Sequence, residues 1–279
     1  MALTSGDIKL FFSGGSANND PDQSLGGDIS SYYIPSNRLF DNVSGTQSLS
    51  GYVDYRCIYF NNISSTDTLY NAGVFVSNEV AGGSTVSIGI EVNNERQDIY
   101  ITNAASVATG SIIMQFYDFF TDTDTQFTIV HSPTISTWAS NFQTAIRAIS
   151  GLEDVTVSGS FLGTTAYFSV NFLGTSAKRY FETLELVSLS QEFLDVSATL
   201  SIQKISDGGP KLKTANQIAS EIIPPTNVVF VSTSYSSTLS IGDLKPSEYF
   251  PVWIKRTVSG NTIAIDNDGF TIRLKGEIL

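Results

Sequence analysis

The chain has 279 residues, 27 of them acidic and 15 basic, a formal net charge of -12, one histidine and one cysteine. A hydrophobic share of 41% against 15% charged is the composition of a folding chain, and at roughly 100–200 residues per domain it predicts one large domain or two ordinary ones. The single His131 excludes a histidine-cluster metal centre, and the single Cys57 excludes a disulfide framework, a CxxC redox pair and a cysteine-ligated zinc ribbon. The acidic balance disfavours nucleic acid as a partner, because that affinity is largely phosphate neutralisation by Lys and Arg.

The start, MALTSGDIKLFFSGG, lacks a basic region ahead of an apolar run and so does not read as a secretory leader. No stretch approaches the roughly 18 apolar residues of a membrane-spanning helix. The expectation is a soluble product of the cytoplasm with no membrane partner, and an unpaired cysteine agrees with a reducing compartment.

Short runs of Val, Ile, Tyr, Phe and Thr, broken by Gly, Asn, Asp and Ser clusters, predict strands through most of the chain. Residues 7–12 (DIKLFF) form the first, stopped by Ser13, Gly14 and Gly15, and residues 16–27 are a polar loop. Residues 52–60 (YVDYRCIYF) alternate, with Val53, Tyr55, Cys57 and Tyr59 on one face and Asp54, Arg56 and Ile58 on the other; this predicts a half-buried strand with Cys57 inside. Residues 69–76 and 85–92 follow as strands. Strands at such spacing, with turn signals between them, suggest an antiparallel sandwich.

After about Gly110 the pattern changes. Two strands, 111–120 and 126–130, precede the single convincing long helix, about 136–150, whose Ile135, Trp138, Phe142, Ile146 and Ile149 fall on one stripe. Thr134 or Ser136 can cap its start, and Gly151 stands where a left-handed cap residue is wanted. Strands are expected at 155–158, 166–172, 183–189 and 198–205. A short helix or packed loop at 211–223, a strand at 227–231, a loop at 239–248 feeding a strand at 249–258, and a last strand at 270–278 complete the chain. Residues 1–111 carry 11 acids and 4 bases, residues 112–204 carry 9 and 4, and residues 205–279 carry 7 of each. The predicted fold is mainly β: a discontinuous antiparallel β-sandwich (immunoglobulin- or jelly-roll-like) from 1–111 plus 205–279, interrupted by an inserted small α+β domain at 112–204 with one main helix. The first piece supplies about four strands and the last about three, so neither closes a sandwich of about seven strands alone.

Two stretches resemble tailed-bacteriophage proteins. The outer frame, DIKLFFSGGSANNDPDQSLGGDIS, then LFDNVSGTQSLSGYVDYRCIYFNN, then LSIGDLKPSEYFPVWIKRTV and NDGFTIRLKGEI, resembles a family of virion structural proteins with a DIKLF-SGG / YRC-Y / GDL-P / VWI-R pattern. The segment QFTIVHSPTISTWASNFQTAIRAISGLEDVTVSG, followed by AYFSVNFLG, is similar to a small α+β module of phage structural proteins. Together these cover about three quarters of the chain; the insertion that separates the YRC half from the VWI half departs from the family pattern. The resemblance implies a structural role in a virion, with other virion proteins and copies of itself as partners, and brings no catalytic residues.

The residues that invite chemistry each have a plainer reading. His131 beside Ser132 lacks a G-x-S-x-G elbow and reads as a surface histidine at a strand–helix turn. Glu91, Glu95 and Asp98 could supply the paired carboxylates of a glycosidase, but read as hydrophilic strand-end residues. Asp122 with Asp124, and Asp266 with Asp268 and Gly269, match fragments of a calcium loop without its terminal Glu, and the latter reads as a hairpin turn. Ser13-Gly14-Gly15 lacks the Lys of a phosphate loop. Trp253, Tyr249, Tyr32 and Tyr33 could stack on sugar or partner, or simply pack. The expectation is a non-enzymatic virion protein with no catalytic, metal or cofactor site, in tail, baseplate or neck before head decoration, with a glycan-binding or host-recognition module as the alternative.

Overall fold

The computed structural model describes residues 3–35, 39–79, 82–118, 123–174, 181–206, 214–262 and 269–278. The first half of the chain supplies strands β1 (Ile8–Ser13) and β2 (Ile29–Tyr33), helix α1 (Gly45–Ser50), strands β3 (Tyr52–Asn62), β4 (Leu69–Glu79), β5 (Ser84–Glu91), β6 (Glu95–Ile101), β7 (Ser111–Asp118) and β8 (Thr123–Val130), and helix α2 (Ile135–Arg147). Strands β9 (Thr156–Leu162), β10 (Thr165–Phe172) and β11 (Glu185–Leu189), helix α3 (Gln191–Asp195), and strands β12 (Leu200–Ser206), β13 (Val228–Val231), β14 (Leu239–Leu244), β15 (Tyr249–Val258) and β16 (Phe270–Glu277) follow. The protein is mainly β, and the sheets are antiparallel.

The chain divides into two compact units, Met1–Glu91 with Pro210–Leu279, and Val92–Gly209. In the first, a six-stranded sheet in the order β13-β5-β15-β3-β1-β2 faces a three-stranded sheet in the order β14-β4-β16. Sequence-distant segments interleave here: β15 lies between β3 and β5, and β4 lies between β14 and β16. Ile58, Phe60, Ile88, Ile90, Val252 and Ile254 from one sheet meet Leu69, Ala72, Val74, Ile241 and Leu244 from the other in a sandwich core.

The alternation in β3 is real, but the strand is buried on both faces rather than on one. Ile58 and Phe60 enter the sandwich core, while Tyr55, Cys57 and Tyr59 enter a second core with Trp253, Ala215 and Ile218. The cause is tertiary: β3 is a central strand between β1 and β15, and the segment at 214–223 runs beside it. That segment is a packed loop in its described part. Its backbone polar groups find partners, as buried groups must. The Ala215 N–H donates to the Tyr59 hydroxyl at 2.9 Å, the Ile218 N–H donates to the Leu25 carbonyl at 2.9 Å, and the Glu221 carbonyl accepts from the Tyr55 N–H at 2.8 Å. Cys57 is fully buried, and burial pushes its thiol well above the usual range. The expected loop at 239–248 instead opens with β14, which pairs with β4 through two register shifts. Gly242, at φ +73, sits at that irregularity, so its Gly-Asp signal marks a bulge and not a loop.

The second unit begins at Val92, where the sequence pattern placed its start at 112, and runs to Gly209. Strand β6 explains the difference. It is central in a four-stranded sheet, order β12-β6-β10-β9, so it folds with the insertion. A three-stranded sheet, order β11-β7-β8, and helices α2 and α3 complete the unit. Trp138, Phe142 and Ile146 on the stripe of α2 are buried with Ile112, Met114, Phe127, Phe168 and Val170. The helix starts after Thr134, which makes no side-chain cap bond, and ends at Arg147 before Gly151, at φ +86, turns the chain.

Candidate functional site

The carboxylates are already occupied. Glu91 is buried at the end of β5 and accepts from the Asn216 N–H at 2.7 Å, the Asn216 Nδ2 at 3.0 Å and the Trp253 indole at 3.2 Å. It anchors the 214–223 segment and orients Trp253, which is fully buried in the second core of the first unit. Tyr249 is partly buried there, its ring 5.6 Å from that of Tyr59.

Glu95 and Asp98 lie on β6 in the other unit, an odd number of residues apart, so they point to opposite faces. Glu95 is fully buried; its Oε2 accepts from the Phe181 N–H at 3.1 Å, and its Oε1 accepts from the Gln97 amide at 2.5 Å and faces Lys204 Nζ at 3.5 Å. Gln97 completes the clamp on this crossing segment, accepting from the Leu184 N–H at 2.7 Å and donating to the Glu182 carbonyl at 3.0 Å. Asp98 takes a two-pronged bond from Arg96, 2.9 and 2.8 Å, and a third from the Tyr167 hydroxyl at 3.0 Å. Burial would raise the Asp98 carboxyl, but these donors hold it below the usual range. Three carboxylates spent on structural hydrogen bonds, two of them on opposite faces of a strand, do not form a glycosidase pair.

His131 is buried, not at the surface. Its ring lies edge-on to Trp138 at 4.4 Å and to Phe193 at 5.5 Å. Neither ring nitrogen makes a well-formed hydrogen bond among the described residues, and the Ala108 backbone offsets only part of the effect of burial. Ser132 instead accepts from the Thr134 N–H at 3.3 Å, so no base–nucleophile contact forms. Burial holds the His131 pKa below its ordinary 6.5. As pH falls, the unfolded chain therefore takes up the proton first. The stability of this unit is expected to be complete above about pH 6.5 and to decline as pH falls through the depressed folded value. Melting temperatures at neutral and mildly acidic pH check this: His131→Phe should have a flatter profile than the wild type across that window.

The remaining candidates do not converge. Asp124 lines a shallow cavity of about 180 Å³ with Tyr117, Glu182, Thr183 and Glu185. Asp122, Asp266 and Asp268 lie outside the described residues, and Gly269 precedes β16. Among the described residues no three His, Cys, Asp or Glu side chains cluster as metal ligands. Gly14, at φ +98, closes the first loop, where a Cβ would meet the Gln23 carbonyl at 2.6 Å. Tyr32 and Tyr33 are exposed on β2, with the Tyr33 ring 4.6 Å from Phe11.

No family model matches the chain, and no curated protein matches it. Among solved structures, a similarity is found to FliD (HAP2) from Pseudomonas aeruginosa PAO1, with a TM-score of 0.24, 10% identity, and coverage of 73% of this chain and 77% of that one. A likeness of that size carries no argument about fold or function.

The sequence reading missed a charged network inside the first unit. Asp54 on β3 and Arg256 on β15 are cross-strand partners, joined by Nε to Oδ1 at 3.0 Å and by the second prong at 2.5 Å. Arg256 also donates to the Asp41 carbonyl at 2.7 Å and stacks over Phe40, 4.6 Å from its centre. Arg56, fully buried, lies 5.4 Å from the same ring and pairs with Asp22 at 3.0 Å and with Glu221. Burial raises the Asp54 carboxyl, and the Arg256 guanidinium only partly offsets it. Burial and Glu221 push the Tyr52 hydroxyl to about 12. A partial signal was present: Asp54 and Arg256 each interrupt a strand rich in apolar residues, where a charge is buried only with a partner.

Proposed function

We propose that this chain is a non-enzymatic structural protein of a tailed-bacteriophage virion that makes subunit contacts in a symmetric assembly. Tail, baseplate or neck is favoured over head decoration. The observation that carries the reading is where apolar side chains remain exposed. Tyr32 and Tyr33 stand on the strand at one edge of the six-stranded sheet, and Val229 and Val231 on the strand at the other. Apolar side chains left exposed on edge strands make surfaces built for neighbours. The frame resemblance supports the same reading, with other virion proteins and copies of this chain as partners.

Mass spectrometry of purified particles of the encoding phage tests it. The chain should be present in many copies; its absence from particles that retain infectivity would overturn the proposal. A second reading, glycan recognition, draws on the outer face of the four-stranded sheet. There the Tyr100 and Tyr167 rings lie 5.2 Å apart beside the Arg96–Asp98 pair. Saccharide-selective binding on a glycan array, lost in Tyr100→Ala, would favour that reading instead.

A further inference from the structure

The two edges of the six-stranded sheet differ. At the β2 edge the ladder to β1 is irregular between Phe11 and Ser13. There the Tyr32 N–H is taken by Ser30 Oγ at 3.0 Å and the Ser31 N–H by the Ser16 carbonyl at 3.1 Å. Bulges and local capping of this kind blunt an edge against pairing. At the β13 edge the ladder to β5 is regular, and no bond among the described residues engages the far side of Val228–Val231. Residues 226–233 (TNVVFVST) carry no charge and no proline, the usual guards of a natural edge.

The side chains of β13 add a second observation. Val229 and Val231 pair with Ile90 and Ile88, which are in the sandwich core. Side chains of directly paired residues share a face of the sheet, so both valines are on the core-facing side. Yet Val229 is 65% exposed and Val231 37% exposed. The opposing three-stranded sheet does not cover them, and the core continues outward as an apolar shelf beside a backbone edge that no described residue bonds.

What fits such a shelf is another extended strand, bonded through its backbone and covering the valines with its own apolar side chains. Charge selects which strand. The chain has a net charge of -12, with the acidic excess in residues 1–204, whereas residues 205–279 carry seven acids and seven bases. The edge stretch 226–233 itself carries no charge, so two copies of this acidic chain meet there without setting like charges against each other. An antiparallel strand pair about a two-fold axis is self-complementary, and each copy then presents Val229 and Val231 to the other.

We infer that β13 pairs with β13 of a second copy of this chain, joining two six-stranded sheets edge to edge into one continuous sheet. The inference deepens the assembly reading above, but its test needs no particle. Sedimentation velocity of the purified full chain should show a concentration-dependent dimer. Val229→Lys with Val231→Lys puts two charges on the shelf and should raise the dissociation constant at least about tenfold. Tyr33→Lys at the blunted edge should leave it unchanged. Unaltered circular dichroism establishes that each variant folds. Should the double variant fail to fold, hydrogen exchange on the wild type decides: β13 amides should gain protection as protein concentration rises.

A wild type that stays monomeric to roughly 100 μM overturns the inference. So does a dimer that survives the double lysine variant or is lost in Tyr33→Lys, as does β13 exchange independent of concentration. A monomeric chain that is nevertheless abundant in particles would sink this contact and leave the virion reading standing.

Discussion

Arg256→Ala is expected to destabilise the first unit by about 3–5 kcal/mol, the range for removing one partner of a buried ion pair. Asp54 is 1% exposed, and in the variant its carboxylate would stand on a buried strand face without the two bonds it now accepts. The loss is electrostatic more than steric, which fixes its pH dependence. Burial already raises the Asp54 pKa above 3.8, and without the guanidinium it should rise further. With the folded pKa above the unfolded one, the folded state binds more protons, so stability falls as pH rises through that window. The variant should therefore lie closest to the wild type in mild acid and farthest from it at neutral pH. Asp54→Leu combined with Arg256→Met should cost less than Arg256→Ala, because no charge is stranded. Urea unfolding followed by Trp253 fluorescence in a Trp138→Phe background reads the effect, since each unit holds one of the two tryptophans. A cost below about 1 kcal/mol at neutral pH would mean that the pair is hydrated and contributes little.

Trp138→Ala should cost the inserted unit about 3–5 kcal/mol, as expected for a large aromatic side chain removed from a packed core. The indole is fully buried, with rings of His131, Phe168 and Phe193 at 4.4, 5.0 and 5.8 Å. Three elements meet at it: the end of β8, strand β10 and helix α3. Their packing leaves little room for collapse into the cavity. Its Nε1–H has no partner among the described residues, so Trp138→Phe should cost far less. That exchange loses some packing but also removes an unsatisfied buried donor. Hydrogen exchange resolved by peptide is the measurement, with amides of α2 and β10 losing protection in the alanine variant and largely keeping it in the phenylalanine variant.

Residue patterns revealed most where one element carries its own signal. The stripe Trp138, Phe142 and Ile146 marked α2, and the alternation of Phe270, Ile272 and Leu274 marked β16, because each faces one core with one side. The pattern failed where neighbours decide. Glu95, Gln97 and Asp98 disguised β6 as a polar connection, although the first two point inward to hold the backbone at 181–184. Strand β3 read as half-buried because nothing in Tyr52–Phe60 announces that residues 214–223 will run beside it. His131 read as exposed because only the folded chain brings Trp138 and Phe193 against its ring. The edge valines of β13 are indistinguishable in sequence from core valines; their exposure depends on how far the opposing sheet extends.

The position of β15 between β3 and β5 sets the order of events at the ribosome. The two neighbours of β15 are synthesised more than 150 residues before it, with the whole inserted unit in between. Until residues 249–258 emerge, the amino-terminal strands have a gap one strand wide and cannot complete their sheet. Closure over so long a loop is entropically slow and leaves apolar edges open to the wrong partner. The inserted unit, contiguous in sequence, can mature first. Chains truncated before β15 should consequently require a chaperone to stay dispersed during translation, and β15 acts as the latch that ends that exposure.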